Sequence, residues 1–101
     1  MNLTLKILNE ASVDIKEITA WHNNISPLLA LRFVSQLYNG FSKISSNPEA
    51  WFNLTLRVRR FRLTNFPYFI LFFMEADYIV VFAVIHERRN PKMWKRRIKR
   101  K

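Results

Sequence analysis

Residues 68–86 read YFILFFMEADYIVVFAVIH, and this stretch decides the fold. It contains two apolar runs, Tyr68 to Met74 and Tyr78 to Ile85, separated by the polar segment Glu75-Ala76-Asp77. Aromatic and branched residues dominate both runs, and these residue types favour strands. Because each run is apolar on both faces, we predict two neighbouring strands at the centre of a sheet, joined by a short turn.

Upstream of this stretch the sequence predicts one short strand and two helices. Leu3 to Leu8 alternates apolar with polar residues, as a strand does. From about Asn9 the apolar spacing changes to threes and fours, which is typical of an amphipathic helix. The residues on its apolar face are Ala11, Ile15, Ile18, His22 and Ile25. Ser26-Pro27 favours the start of a second helix, because Ser is a common N-cap and Pro suits the first turn.

Another strand is predicted between the second helix, which ends near Pro48, and the central apolar stretch. It runs from Leu54 to Arg62 and is rich in arginine. In an extended chain its arginines divide between the two faces. Arg60 and Arg62 lie on one face, and Arg57 and Arg59 lie on the other.

The order of these elements predicts an α+β fold. It is strand, helix, helix, strand, strand, strand, so we expect a small antiparallel sheet covered on one face by a helical hairpin. We expect residues 1–101 to form one domain that ends in a basic tail, residues 91–101.

Charge is concentrated at the C-terminal end of the chain. The formal net charge is +10, yet residues 1–50 hold four basic and four acidic residues and are neutral. Residues 86–101 hold nine basic residues against Glu87 alone. Such a concentration of positive charge indicates an anionic partner.

Several functional classes are excluded or disfavoured by composition. The chain has no cysteine and only two histidines, so we expect no disulfide, no metal site and no cofactor. It has a single glycine, Gly40, and therefore no glycine-rich loop to cradle a phosphate. The apolar runs of residues 68–85 are too short to span a membrane, and the N-terminus does not read as a signal peptide. We expect a cytoplasmic protein with no membrane partner.

The C-terminal half carries an ordered set of motifs. Phe66-Pro67-Tyr68 opens a strand, an acidic turn follows, and His86-Glu87-Arg88-Arg89-Asn90-Pro91 precedes Trp94. With the arginine-rich strand and helical hairpin before it, this set resembles the RelE/ParE superfamily of bacterial toxins. The resemblance implies the toxin of a type II toxin–antitoxin pair, bound and neutralised by a cognate antitoxin in a hetero-oligomer.

The superfamily has two activities, and the motifs are more similar to those of the ParE branch. ParE toxins poison DNA gyrase and are not nucleases, so the resemblance implies gyrase as target and no enzymatic activity. The alternative is a RelE-like endonuclease that cleaves messenger RNA on the ribosome. It would need a proton-transfer residue and cations for the transition state. The candidates are His86, Arg62, Arg88 and Arg89.

Contacts with a target or a nucleic acid are expected from the arginine-rich strand and the basic C-terminal end. The candidate residues are Arg57, Arg59, Arg60, Arg62, Arg88, Arg89, Lys92, Trp94, Lys95, Arg96 and Arg97. Structural roles compete with this interpretation: Trp94 can anchor the tail, and arginine stems can pack against apolar neighbours. An apolar groove between the sheet edge and the helices is the expected antitoxin site. A small basic nucleic-acid-binding module is a third, weaker hypothesis, since it needs only the charge.

Overall fold

The secondary structure follows the predicted order, with one helix added at the C-terminal end. The computed structural model describes residues 3–101. Its elements are β1 (Thr4–Ile7), α1 (Asn9–Ile25), α2 (Pro27–Ser46), a short 3-10 helix (Pro48–Ala50), β2 (Phe52–Asn53), β3 (Arg59–Arg62), β4 (Tyr68–Glu75), β5 (Tyr78–His86) and α3 (Lys92–Lys99). The predicted α+β class is confirmed.

Strands β4 and β5 form the centre of a five-stranded sheet, as the apolar stretch predicts. They pair antiparallel from Tyr68 opposite His86 to Glu75 opposite Tyr78. The connecting turn includes Ala76, whose φ of 53° lies in the left-handed region that tight turns require. Phe82 has no partner in the β4 register, so a bulge interrupts β5 at this residue.

The sheet differs from the prediction at one edge. Its order is β1-β5-β4-β3-β2, and β1 runs parallel to β5, whereas the other pairs are antiparallel. The antiparallel prediction holds for β2 to β5 and is wrong for β1. The reason is topological, because β1 is joined to the rest of the sheet through the helical hairpin. It enters beside the last strand without a direct turn to any neighbour.

The arginine-rich strand is shorter than predicted. Residues 54–57 form a turn, so that β2 and β3 pair with each other as a small hairpin. The hydroxyl of Thr55 accepts hydrogen bonds from the backbone N–H groups of Arg57 and Val58, at 3.2 and 3.0 Å. These local bonds compete with a continuous strand ladder, which explains why the extended strand ends here.

The helical hairpin covers one face of the sheet, as predicted. Ser26 alone separates α1 from α2, and Pro27 occupies the first turn of α2. Ser26 stands at the predicted N-cap position, although its hydroxyl makes no capping hydrogen bond. The core beneath the hairpin contains Phe33, Leu37, Ile44, Ile70, Phe72, Ile79 and Val81. Burial of each of these side chains contributes about 1.5–3 kcal/mol relative to exposure.

The opposite face of the sheet carries a second core, which α3 covers. This core contains Val58, Leu71, Phe73, Val80, Phe82, Ala83, Ile85 and Trp94. Trp94 is only 6% exposed, and its ring lies 6.5 Å from that of Phe82. The basic tail is therefore a helix packed on the sheet through Trp94, which confirms the anchoring role considered for this residue.

Candidate functional site

The arginines at 57, 59, 60 and 62 fall into two groups in the structure. Arg59 donates to the backbone carbonyl oxygens of Glu49 and Trp51, at 3.3 and 2.8 Å. Arg62 forms an ion pair with Glu87, with 3.1 Å between Nε and Oε2. Both guanidinium groups are engaged within the fold, where Arg59 fixes the segment before β2 and Arg62 ties β3 to the end of β5.

The other group, Arg57 and Arg60, lies over aromatic rings on the face of the sheet that α3 shares. The Arg57 guanidinium carbon is 4.2 Å from the centre of the Phe73 ring. That of Arg60 is 4.3 Å from the Phe52 ring centre and 4.5 Å from the Phe69 ring centre. Neither arginine forms an ion pair with any residue from 3 to 101. These two cations remain available to a partner.

The inward side of α3 is held to α1 by an ion pair. Asp14 accepts hydrogen bonds from both terminal nitrogens of Arg97, at 2.6 and 2.9 Å. Both side chains are only 12% exposed. Asp14 also accepts the backbone N–H of Val84, and Arg97 donates to the carbonyl oxygen of Phe82. The hydrogen bond with Asp14 raises the pKa of Arg97, so this cation belongs to the interior and is not offered to a partner.

The end of the chain is held by a second acidic residue of α1. Glu10 pairs with Arg100, with Lys101 at 3.3 Å and with Arg97 at 3.6 Å. Burial by itself would raise the pKa of Glu10, but the Lys101 hydrogen bond and the charges of Arg100, Lys101 and Arg97 lower it overall. Part of the positive charge of the tail is therefore balanced within the chain itself.

The outward side of α3 and the turn before it form a surface of unpaired cations. Arg88 and Arg89 lie in the exposed turn after β5, and Lys92, Lys95 and Arg96 point outward from α3. Within residues 3–101, none of these five side chains has an acidic partner. Together with Arg57 and Arg60 they make up what we call the cationic surface.

His86 lies between this surface and an adjacent cleft. Its Nδ1 accepts the backbone N–H of Arg88 at 3.1 Å, so the neutral ring carries its hydrogen on Nε2, which is left as a hydrogen-bond donor. Its ring packs edge-on against Tyr68, with 5.3 Å between the centres. The structural role considered for this residue, a strand-end histidine in a hydrogen-bonded cluster, fits this geometry.

The cleft beside His86 has a volume of about 750 Å³ and lies between α1 and the ends of β4 and β5. His22 and Tyr68 also line it. His22 is 4% exposed, and its Nδ1 lies 2.8 Å from the carbonyl oxygen of Ile18. Its ring stacks on Phe33 and meets Tyr68 at 5.9 Å. Burial raises the pKa of the Tyr68 phenol.

Several members of these arrangements are not evident from the sequence. His22 stands in the apolar stripe of the first helix, and nothing in the spacing places it beside Tyr68. Asp14 and Glu10 do not stand out, because acidic residues on a polar helix face are ordinary. Phe52 and Phe69 could have been found as the cross-strand and diagonal neighbours of Arg60 if the sheet register were known.

Two further properties bear on the kind of protein. Within residues 3–101, no three His, Asp or Glu side chains are arranged so that they could hold a metal ion. None of the helices in this part of the chain is long and apolar enough to cross a membrane.

Comparison with solved structures shows that this fold has a counterpart. A solved chain from the chromosomal ParDE TA system of P. aeruginosa superposes with a TM-score of 0.73 and 18% sequence identity. The match covers 83% of this chain and 95% of that chain. At 18% sequence identity, this similarity shows a common fold and nothing more.

The family follows from the sequence. A family model described as the ParE toxin of the type II toxin–antitoxin system parDE matches residues 5–91. The chain therefore belongs to the ParE toxin family. No curated protein sequence matches it.

Proposed function

We propose that this protein is the toxin of a type II toxin–antitoxin system and arrests growth in the cytoplasm by binding DNA gyrase. The observation that carries the proposal is membership of the ParE toxin family over residues 5–91. The cationic surface supports the proposal, because it offers a region that could contact the target. Unpaired cations on rigid elements bind acidic surfaces with little reorganisation. Arg97 and Trp94 lie outside this proposed contact, since both are committed to packing α3.

A binding mechanism also agrees with the state of the candidate catalytic residues. Arg62 is paired with Glu87, and one nitrogen of His86 is occupied by the Arg88 backbone. A gyrase inhibitor requires no general base, only a surface that fits its target.

Expression of the chain alone in a susceptible bacterium tests the proposal. We expect growth arrest with DNA breaks, intact messenger RNA, and inhibition of gyrase supercoiling by the purified protein. Normal growth in cells that contain abundant soluble protein would contradict a toxin function. Growth arrest without DNA breaks or gyrase inhibition would agree with a toxin function and would reject gyrase as its target.

The proposal includes a neutralising partner, an acidic and amphipathic antitoxin. Four apolar side chains around the hairpin connection are more than half exposed, which is typical of a surface that a partner covers. They are Trp21, Ile25, Leu28 and Leu31. Co-expression with the adjacent reading frame is expected to restore growth and to yield a co-purifying complex; restored growth without a complex would contradict direct neutralisation.

One observation favours a second candidate function, ribosome-dependent cleavage of messenger RNA. His22 and His86 both contact Tyr68 in one cleft, and Arg89 lines the same cleft. Two imidazoles and a cation can supply proton transfer and charge stabilisation for RNA cleavage. This candidate predicts codon-linked cleavage on translating ribosomes that His86→Ala abolishes, and intact messenger RNA under growth arrest would reject it.

A further inference from the structure

Arg60 differs from the other charged residues of the sheet because two aromatic rings hold its guanidinium. Phe52 is its direct partner in β2, and Phe69 is its diagonal neighbour in β4. Their ring centres lie 4.3 and 4.5 Å from the guanidinium carbon. Contact with two rings restricts the orientation of the group, so little conformational entropy remains to be lost when a ligand binds.

The hydrogen-bonding capacity of Arg60 is unused. Arg59, Arg62 and Arg97 all donate to carbonyl or carboxylate oxygens of the chain. Arg60 makes no side-chain hydrogen bond and no ion pair with residues 3–101. A guanidinium presents its N–H donors in a planar fork that matches two oxygens of one anionic group. A stacked, unpaired arginine is therefore suited to a bidentate oxyanion.

The surroundings of Arg60 favour a carboxylate of a protein over the phosphates of a nucleic acid. Phe52 is 59% exposed although it is a large apolar residue, and Leu56 in the neighbouring turn is fully exposed. Arg57 lies over Phe73 on the same face. Exposed aromatic and aliphatic side chains beside arginine are characteristic of protein–protein contact sites. A partner that covers them would contribute apolar surface around its acidic group.

We infer that Arg60, held by Phe52 and Phe69, binds a carboxylate of the toxin's protein target and is the residue on which target recognition most depends. This inference rests on the proposed toxin function and adds to it a specific contact and a chemical class of ligand. It requires a planar fork at residue 60, and a positive charge alone is not sufficient.

The decisive variant is Arg60→Lys, which keeps the net charge and removes the planar fork. We expect the concentration of protein that inhibits gyrase to rise at least about tenfold, as for a lost bidentate contact to a charged group. The inducer level needed for growth arrest should rise in parallel. Arg32→Lys, the same exchange at an exposed position of α2, is expected to leave both within about twofold.

A second variant tests the role of the rings. Phe52→Leu keeps an apolar side chain and removes one ring face, so a smaller loss of about threefold to tenfold is expected. Circular dichroism melting curves establish whether each variant is folded. Equal toxicity of folded Arg60→Lys and wild type would overturn the inference and leave the toxin function standing. Failure of the wild-type chain to arrest growth would overturn both.

Binding of duplex DNA distinguishes a protein carboxylate from a phosphate as the ligand of Arg60. Binding of a 20-base-pair duplex is expected to change less than about threefold in Arg60→Lys, because phosphate attraction depends mainly on charge. A tenfold loss of duplex affinity would identify phosphate as the ligand and reject the protein carboxylate. Growth arrest by the wild-type chain without gyrase inhibition would reject gyrase as the target. It would still leave Arg60 testable, because the inducer levels at which Arg60→Lys and wild type arrest growth can be compared.

Discussion

At the scale of single residues, Gly40 shows how closely α2 approaches the sheet. A Cβ atom at this position would lie 3.0 Å from Ile70 Cδ1 and 3.0 Å from Phe61 Cε1. Phe61 cannot easily retreat, because its ring is held against Trp51 with 4.6 Å between the centres. Close approach therefore favours glycine here, and not a special backbone conformation, because the residue lies in ordinary helix.

Gly40→Ala is expected to destabilise the protein. Alanine favours the helix by about 1 kcal/mol, but overpacking a core costs about 1–3 kcal/mol, so the steric effect outweighs the helix preference. We expect the free energy of unfolding in urea to fall by about 1 kcal/mol. Asn39→Ala, at the exposed neighbouring position, changes helix preference alone and should stabilise by a few tenths of a kcal/mol. Stabilisation by Gly40→Ala would show that the two side chains can move aside.

At the scale of secondary-structure elements, α3 depends on a small number of contacts. Trp94 packs on Phe82, and Arg97 joins Asp14, which also accepts the Val84 backbone N–H. Removal of the Asp14 charge leaves Arg97 with only the longer ion pair to Glu10, at 3.6 Å, in a site that is only 12% exposed. Loss of one member of a buried pair is more costly than the pair is stabilising.

Asp14→Asn is expected to loosen α3 by about 2–3 kcal/mol. Trypsin measures this directly, because the helix is rich in lysine and arginine and is cleaved only when it opens. Cleavage within residues 92–99 should accelerate by at least about tenfold. Asp77→Asn in the β4–β5 turn makes the same change in net charge, has no ion pair within residues 3–101, and should leave the cleavage rate unchanged. Equal rates for both variants would show that the helix is held without Asp14, by Trp94 and the ion pairs of Glu10.

The elements also show how much the sequence could predict. The apolar runs predict β4 and β5, and the spacing of apolar residues by three and four positions predicts α1 and α2, because these signals are local. The parallel pairing of β1 was not predictable, since it depends on where the hairpin returns the chain. The arginine-rich segment is divided because the Thr55 hydroxyl competes with the strand ladder for backbone N–H groups. Arg97 is buried against Asp14, a residue far away in the sequence. Neither contact is evident from local sequence patterns. The positive charge of the candidate residues can thus be read from the sequence, whereas the sequence does not show which of these cations are engaged within the fold.

At the scale of the whole molecule, stability should depend on pH at both extremes. Interactions with Lys101, Arg100 and Arg97 lower the pKa of Glu10 below its ordinary value of 4.5. A lowered pKa in the folded state means that this stabilisation is present above the ordinary value and is lost as the pH falls through the folded value. Acid should therefore release the end of the chain from α1. The midpoint of thermal unfolding is expected to fall less with acidification in Glu10→Gln than in wild type; parallel curves would contradict this role of Glu10.

At alkaline pH the change of stability with pH has the opposite sign and a different cause. Burial raises the pKa of Tyr68 above its ordinary value of 10.0, because the phenolate is poorly solvated beside His22 and Phe33. A raised pKa means that stability is complete below the ordinary value and is lost as the pH rises through the folded one. Between about pH 9 and about pH 11 the free energy of unfolding should fall less in Tyr68→Phe than in wild type. Tyr38→Phe is the matched control, because Tyr38 is 62% exposed and its variant should follow the wild-type curve. If Tyr68→Phe loses stability in parallel with wild type and with Tyr38→Phe, the alkaline transition does not arise from the buried phenol.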